Sequence, residues 1–212
     1  MYYIYMIHNI FPIKLYEYNL DDLSLNDQIL NNLRNEQFVD NNQHIPPQSR
    51  CYQTDHYLHK DPRYATLIKW FKDCLVDYTK SEALDCDELA MTVCRANKYP
   101  AYTYSQQIPH THRMSYISAV YYLTDGAPTS FSDPVAKRTD NSLEVHNNNP
   151  RTALVEAVPG KLILFPSWLE HSTLPHQSFA DRWSISFNTM PSGNINIKSN
   201  NSGNPSCILD VK

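Results

Sequence analysis

Three histidines in the second half of the chain have the spacing of a metal site. His110 and His112 form a His-Thr-His motif, and on a β-strand, where side chains alternate between two faces, both rings point to the same side. His171 follows in the segment KLILFPSWLEHSTLP, which is typical of two strands joined by a short turn. Imidazole nitrogens are common ligands of iron and zinc. The pattern therefore makes His110 and His112 a candidate pair of ligands for one divalent metal ion, with His171 as a candidate third ligand.

A second polar group follows His171 after an interval of ten residues, in the segment RWSISFN. Read with a period of two, this segment has an apolar face, which must pack in a core, and a polar face that begins with Arg182 and Ser184. On the protein surface such a polar face would be an ordinary solvated one. Inside a barrel, the planar guanidinium of Arg182 could hold a carboxylate through two hydrogen bonds, with Ser184 adding another.

Two amphipathic helices are predicted before these motifs, at residues 22–36 and 61–80. In the second, Asp61 can cap the first turn and Pro62 fits within it. Its apolar stripe comprises Leu67, Trp70, Phe71, Cys74, Leu75 and Tyr78. We expect this helix to buttress the outside of the strand-rich region, with the Trp70 ring buried in the core.

From about residue 87 the sequence changes to short β runs separated by Pro, Gly and Asn. Helices followed by short strands predict an α+β fold whose core is a barrel or jelly roll. We expect one domain at 1–190, with a helical and strand part at 1–85, which opens with a strand at 1–16, and a β core at 86–190. A loop is expected at 138–150. Residues 191–212 are predicted to form a polar C-terminal tail, with ILDV docking as a last strand.

Composition narrows the class of protein. A chain of 212 residues with 42% hydrophobic and 19% charged residues is typical of one soluble globular domain. The net charge of −4 and the lack of a dense Lys/Arg run argue against a nucleic-acid partner. The five cysteines form no C-x-x-C pair, so they indicate neither a disulfide framework nor a zinc ribbon and favour the cytoplasm. The apolar N-terminus lacks the features of a signal peptide or membrane span, so no membrane partner is expected.

Taken together, these motifs resemble the iron(II)/2-oxoglutarate-dependent oxygenases, over roughly residues 90–190. The family pattern is H-x-(D/E), a long interval, a distal His, and then an Arg that is often followed by x-Ser. The segments SAVYYLTD, GAPTSFSDP and VPGKLILFPSWLEHSTLP are similar to the prolyl-hydroxylase-like branch. The resemblance implies a double-stranded β-helix core, an Fe(II) cofactor, and 2-oxoglutarate and O₂ as cosubstrates. It implies iron ligation by His110 and His171, with Arg182, Tyr122 and Ser184 binding 2-oxoglutarate.

The chain departs from the usual pattern at the second ligand position, where His112 replaces a carboxylate. A three-histidine site is our first interpretation, because compact relatives carry H-x-H. Asp133 is the one nearby carboxylate that could replace His112, although a turn-forming role before Pro134 is favoured. We read His176 as a histidine in a surface turn, and we expect Phe165, Trp168 and Trp183 to make the site apolar.

The proposed reaction is hydroxylation of an unactivated C–H bond coupled to decarboxylation of 2-oxoglutarate. The branch resemblance suggests a prolyl residue or a free amino acid, so the substrate is a small molecule or a peptide. Three alternatives stay open: a His₃ zinc hydrolase or lyase, a His₃ iron dioxygenase that uses no 2-oxoglutarate, and a non-enzymatic β-helix binding protein. Arg182 distinguishes best among them, since only the 2-oxoglutarate enzyme needs a buried cation for a distal carboxylate. Oligomeric state leaves no mark in the sequence.

Overall fold

The structure is a computed structural model that describes residues 12–40, 46, 49–135 and 151–196, together with the backbone of 209–211. Most of the predicted opening strand and all of the predicted loop at 138–150 lie outside the described residues. The helices are α1 (Ser24–Leu33) and α2 (Ala65–Ser81), with 3₁₀ turns at Leu58–Lys60 and Pro62–Tyr64. The strands are β1 (Tyr16–Asn19), β2 (Val39–Asp40), β3 (Tyr52–Gln53), β4 (Cys86–Tyr99), β5 (Ser105–His110), β6 (Ile117–Tyr122), β7 (Thr129–Ser132), β8 (Thr152–Val155), β9 (Lys161–Pro166), β10 (His171–His176), β11 (Arg182–Ile195) and β12 (Leu209–Val211).

These strands form two sheets. The larger has the order β1-β9-β6-β11-β4-β3-β2, with β12 added to β11, and the smaller has the order β5-β10-β7-β8. The pairs of neighbouring strands are antiparallel in both sheets. Consecutive strands alternate between the sheets from β4 to β7 and again from β8 to β11. The predicted α+β class with a double-stranded β-helix core is therefore confirmed.

The larger sheet has one face toward the helices and one toward the smaller sheet. Along β11, Trp183, Ile185 and Phe187 belong to the outer core that α2 also joins. The alternate residues Ser184 and Ser186 line a cavity shared with histidines of the smaller sheet. The period of two in RWSISFN thus separates core-forming from cavity-lining side chains, as the sequence predicts.

Helix α2 covers the outer face of the larger sheet, which confirms its predicted role. The Phe71 ring centroid lies 4.9 Å from that of Phe187 and 5.3 Å from that of Tyr121. Ahead of the helix, the Asp61 carboxylate accepts the backbone N–H of Arg63, so the predicted cap is present, although it caps the 3₁₀ turn that precedes α2. The prediction that Trp70 is buried in the core is wrong, because its ring lies at the border of the stripe and is only partly buried. Phe71 is the fully buried aromatic residue of this helix.

Strand β11 continues to Ile195, five residues beyond the predicted domain boundary at 190. The end of β11 pairs with β12, where Gly193 lies opposite Val211 and Ile195 opposite Leu209. The predicted docking of ILDV as a last strand is confirmed. Within the described residues, no helix combines the length and apolar character needed to cross a membrane.

Candidate metal and 2-oxoglutarate site

The smaller sheet brings the three predicted metal ligands together. His171, the first residue of β10, pairs in register with His110, the last residue of β5. His112 lies just beyond β5, and its backbone N–H donates to the Ser167 carbonyl at 3.0 Å. One ring nitrogen of each histidine lies within 4.8 Å of the other two, and Nε2 of His112 is 3.3 Å from Nε2 of His171. These distances allow one ion to contact all three rings.

Backbone carbonyls fix the tautomers of two of these rings. Nδ1 of His110 lies 2.8 Å from the Ile108 carbonyl oxygen, and Nδ1 of His171 lies 2.9 Å from that of Leu169. A carbonyl oxygen can only accept, so Nδ1 carries the hydrogen in both rings and donates it. The Nε2 atoms therefore keep their lone pairs, which is the form in which an imidazole binds a metal.

The third ring is held by a polar chain on the larger sheet. Nδ1 of His112 lies 3.3 Å from the Asn188 amide nitrogen. The hydroxyl of Ser118 donates to the other end of this amide at 2.9 Å and lies 2.8 Å from the Ser167 hydroxyl. Side chain and backbone of His112 are thus both anchored, the first through Asn188 and the second through Ser167.

Burial keeps the three imidazoles neutral. Burial, together with the electrostatic effects of His110, His171 and Arg95, lowers the pKa of His112 to about 3. Burial also lowers the pKa of His171 to about 4 and moves that of His110 downward. Neutral rings at physiological pH are ready to bind a cation without first releasing protons.

Arg182, predicted to bind an anion, is fully buried on the inner face of β11, with 0% of its surface exposed. Its Nε donates to the Ala127 carbonyl at 2.8 Å, and its Nη1 donates to the Ser184 hydroxyl at 3.3 Å. The guanidinium carbon lies 4.6 Å from the ring centre of Tyr99 and 5.4 Å from that of Tyr122. Nη2 is buried with no hydrogen-bond partner among the described residues. A buried cationic donor without an acceptor is costly, so this atom fits an anionic ligand.

Tyr122 and Ser184 both lie beside Arg182, as predicted. They are cross-strand partners on β6 and β11, and the Tyr122 hydroxyl donates to the Thr129 hydroxyl at 2.7 Å. Burial raises the pKa of Tyr122 to about 12, so its hydroxyl stays protonated. A cavity of about 210 Å³ is lined by the three histidines and by Tyr99, Thr129 and Ser184. Two neighbours of Arg182, Tyr99 and Ser184, therefore line the same cavity as the three histidines.

Comparison with known proteins decides the family to which this arrangement corresponds. Residues 101–188, which hold all three histidines, Arg182 and Ser184, match the family model described as "Putative 2OG-Fe(II) oxygenase". Over this stretch the chain is similar to the 2OG-Fe(II) oxygenases. Enzymes of this family use Fe(II) and 2-oxoglutarate, as the resemblance in sequence implied. No curated protein matches the chain.

Solved structures with the same fold include two prolyl hydroxylases and a 2-oxoglutarate-binding protein. A prolyl-4-hydroxylase from Pseudomonas putida matches with a TM-score of 0.62 and 15% identity, over 85% of this chain and 94% of that one. HygX from Streptomyces hygroscopicus, with nickel and 2-oxoglutarate bound, matches with a TM-score of 0.59 and 15% identity, over 84% and 83%. A Trichoplax adhaerens prolyl hydroxylase, in complex with a hypoxia-inducible factor peptide, matches with a TM-score of 0.58 and 17% identity, over 84% and 83%. At such low identity these structures establish the shared fold.

Asp133 lies outside the cluster of His110, His112 and His171. Its carboxylate accepts the backbone N–H of Val135 at 2.9 Å, and its own N–H donates to the Arg151 carbonyl at 2.8 Å. Both are the bonds of a turn-forming residue at the end of β7. Among the described residues, the cluster that could hold a metal is made of histidine alone.

The interpretation of His176 as a surface histidine is wrong, because 1% of its surface is exposed. It is the last residue of β10, and its Nε2–H donates to the Ala180 carbonyl at 2.7 Å. Its Nδ1 accepts the backbone N–H of Ala127, whose carbonyl accepts Nε of Arg182. His176 therefore supports the loop segment that holds Arg182. The sequence suggested a turn because Pro175 precedes it, whereas β10 continues through that proline.

The expected apolar surroundings come from fewer aromatic residues than predicted. Phe165 lines the cavity, and its ring centroid lies 4.6 Å from that of His171. Trp168, by contrast, is 57% exposed. Trp183 lies on the outer face of β11, where its ring packs against Phe38 at 5.4 Å. The expectation for these two tryptophans is therefore wrong.

Tyr99, Asn188 and Thr129 also contribute to the site, through contacts that the sequence does not reveal. Tyr99 is the cross-strand partner of Arg182. The Thr129 hydroxyl accepts the hydrogen bond of the Tyr122 hydroxyl. A register between distant strands would have been needed to find them.

Proposed function

We propose that this protein is an Fe(II)- and 2-oxoglutarate-dependent dioxygenase that hydroxylates a C–H bond. In this proposal His110, His112 and His171 hold the iron, and Arg182, Tyr122 and Ser184 hold the distal carboxylate of 2-oxoglutarate. The main observation in support of it is that two features occur together in one barrel. Three neutral imidazoles converge within 4.8 Å. A buried guanidinium, whose Nη2 has no partner among the described residues, packs against Tyr99, which lines the same cavity as the imidazoles.

The donor set fits Fe(II). Three imidazole ligands are suited to a facial arrangement, in which they occupy one face of the coordination sphere. This arrangement leaves positions for the two oxygens of a 2-oxoacid and for O₂. Bound iron supplies the redox chemistry that couples decarboxylation of 2-oxoglutarate to hydroxylation. Because the ligands carry no charge, the ion keeps its full double charge, and this favours a dianionic cosubstrate over a neutral one.

The anion pocket fits a carboxylate. Arg182 is held in place by Ala127 and Ser184, so its free nitrogen is preorganised. Aromatic rings of Tyr99 and Tyr122 pack beside it and limit access of water. A charge-assisted hydrogen bond in such surroundings is stronger than a neutral one.

Arg182 also weighs against the rival functions. The histidine cluster alone would suit a catalytic zinc ion, and a dioxygenase that oxidises its substrate directly could use the same three ligands. Neither enzyme requires a second, buried cation with a free nitrogen. A binding protein without a metal would need no convergent set of neutral imidazoles.

The test combines metal analysis with turnover. Purified protein with Fe(II), 2-oxoglutarate and O₂ should release succinate, and omission of iron or its replacement by zinc should abolish the release. His171→Ala should lose most of the bound metal, whereas the control His59→Ala, outside the cluster, should keep it. Full metal retention in His171→Ala would contradict the assigned ligands, and a lack of 2-oxoglutarate binding would favour the zinc or direct-dioxygenase function.

We also propose a reducing, cytoplasmic setting. Its support is that Cys74 and Cys94 are free thiols in the described part of the chain.

A further inference from the structure

Arg95 lies on the inner face of the larger sheet, in the same row of cross-strand pairs as Arg182. Strands β4 and β11 pair Arg182 with Tyr99, Ser184 with Asn97 and Ser186 with Arg95. Arg95 and Ser186 both line the cavity that contains the three histidines. The charge of Arg95 also contributes to lowering the pKa of His110 and His112, as expected for a cation near the three histidines.

A chain of amide groups holds the Arg95 side chain. Its Nη1 donates to the Gln53 side-chain oxygen at 3.1 Å, and the Gln53 amide donates to the Asn97 oxygen at 2.7 Å. The Asn97 amide then donates to the Ser186 hydroxyl at 3.1 Å. Nη1 also lies 3.4 Å from Nε2 of His56. The Gln53 oxygen is a neutral acceptor, so it orients the guanidinium without balancing its charge.

Arg95 has no carboxylate partner in the part of the chain that the structure describes. Its side chain is partly buried, and desolvation lowers its pKa from the ordinary value. The cavity lining likewise contains no Asp or Glu. A desolvated guanidinium in a cavity without carboxylates is stabilised when an anion enters.

The 2-oxoglutarate proposed at Arg182 does not account for Arg95. Ser186, the partner of Arg95, is four residues from Arg182 along β11, which separates their backbones by about 13 Å. The two end carbons of 2-oxoglutarate are about 5 Å apart, given C–C bonds of about 1.5 Å. A cosubstrate anchored at Arg182 and bound to the metal therefore leaves Arg95 for a second anion.

The size of the cavity limits that second anion. Its volume of about 210 Å³ is below the roughly 300–1,000 Å³ typical of pockets for drug-sized ligands. We propose that Arg95, positioned by Gln53, binds the carboxylate of the primary substrate, and that this substrate is a small carboxylic acid such as a free amino acid. This inference rests on the proposed function for the identity of the reaction, and on Arg95 alone for the class of substrate.

The test is a titration of the redox-silent, zinc-loaded protein in the presence and absence of saturating 2-oxoglutarate. The probes are the common free L-amino acids, the corresponding amino-acid amides, which lack the carboxylate, and inorganic phosphate. At least one free amino acid should bind in the presence of 2-oxoglutarate, with its amide bound about thirtyfold or more weakly. Arg95→Gln should weaken binding of that amino acid by a similar factor, and Arg95→Lys should restore part of it.

Two controls make the result specific. Arg95→Gln should change the affinity for 2-oxoglutarate by less than about threefold, which also shows that this variant is folded. Arg34→Gln, which changes an exposed arginine next to α1, should leave both affinities unaltered. The inference is overturned if no free amino acid binds, if the amides bind equally well, if Arg95→Gln binds as the unchanged protein does, or if phosphate alone depends on Arg95. If 2-oxoglutarate does not bind but an amino acid does so through Arg95, the proposed function fails and the substrate site stands.

Discussion

The side-chain amide of Asn188 lies 3.3 Å from Nδ1 of His112, and the two residues are 76 positions apart in the chain. When Nε2 of a histidine binds a metal, its Nδ1 carries a hydrogen that needs an acceptor. Rotating the Asn188 amide by half a turn would present its oxygen to His112 and its nitrogen to Ser118, with nearly the same atomic positions. Asn188 can therefore accept from the metal-bound ring, as Ile108 and Leu169 do for His110 and His171.

We accordingly expect Asn188→Ala to lower the affinity for Co(II), a spectroscopic substitute for iron, by about 10- to 100-fold. Asn188→Asp should restore much of the affinity, because a carboxylate accepts the same hydrogen. Affinity is measured by competition with a chelating dye. The control Asn194→Ala changes an exposed asparagine on the same strand, whose side chain bonds to Asp87. Equal affinities in Asn188→Ala and Asn194→Ala would show that Asn188 does not support the ligand.

Arg182→Ala should weaken 2-oxoglutarate binding while leaving the metal content nearly unchanged. Removal of one partner of a buried, hydrogen-bonded charge pair costs about 2–5 kcal/mol, which corresponds to roughly thirty- to several-thousand-fold in affinity. Arg182→Lys should recover part of the loss, because a single ammonium group cannot reproduce a two-pronged contact. Calorimetric titration of 2-oxoglutarate into anaerobic, iron-loaded protein measures the effect. Unchanged affinity in Arg182→Ala would place the cosubstrate elsewhere.

The outer core should depend on Phe71 more than on its neighbour Trp70. Phe71 is fully buried, so Phe71→Ala should lower the free energy of unfolding by about 3–5 kcal/mol. Trp70 is partly buried, and we expect Trp70→Ala to cost about 1–2 kcal/mol. Val76→Ala, on the exposed side of α2, should change the stability by less than about 0.5 kcal/mol. Urea denaturation gives all three values, and an equal cost for Phe71→Ala and Val76→Ala would contradict the packing of α2 on the sheet.

Stability of the metal-free protein should fall on acidification. Free histidine has a pKa of 6.5, whereas burial lowers the pKa to about 3 for His112 and to about 4 for His171 in the folded chain. Below pH 6.5 the unfolded chain therefore binds protons that the folded chain does not, and the free energy of unfolding decreases toward pH 4. Each histidine contributes at most about 1.4 kcal/mol per pH unit, and nothing further is gained above its unfolded pKa.

Denaturation at about pH 7 and about pH 5 checks this dependence. His112→Ala should show a smaller loss between the two values, because one of the titrating rings is gone. The same loss in His112→Ala and in the unchanged protein would show that His112 is not held in its neutral form.

Local spacing was enough to predict several parts of the site. His110 and His112 are two residues apart, and the polar face that contains Arg182 follows from alternation within one strand. Family resemblance then supplied the role of His171 and the order of the motifs. Each of these signals lies within a short segment, or in a pattern of segments, and does not require the pairing of distant strands.

The partners that hold these residues depend on long-range register, which one sequence does not reveal. Tyr99 stacks on Arg182 because β4 pairs with β11, and Asn188 reaches His112 because the two sheets face each other. The same limit explains the errors at His176 and Trp168. Burial at the end of a strand or in a turn depends on what the other sheet places beside it, not on the local sequence.

The proposed ligands of the metal and of the distal carboxylate lie on different sheets, since His110 and His171 belong to the smaller sheet and Arg182 to the larger one. A 2-oxoglutarate molecule bound at both ends would therefore act as a non-covalent cross-link through the barrel. At a free concentration of a hundred times its dissociation constant, it would raise the free energy of unfolding by about 2.7 kcal/mol. The resistance of the fold to heat would therefore depend on that concentration. In a cell, the lifetime of this protein would then follow the supply of a central metabolite of carbon and nitrogen metabolism.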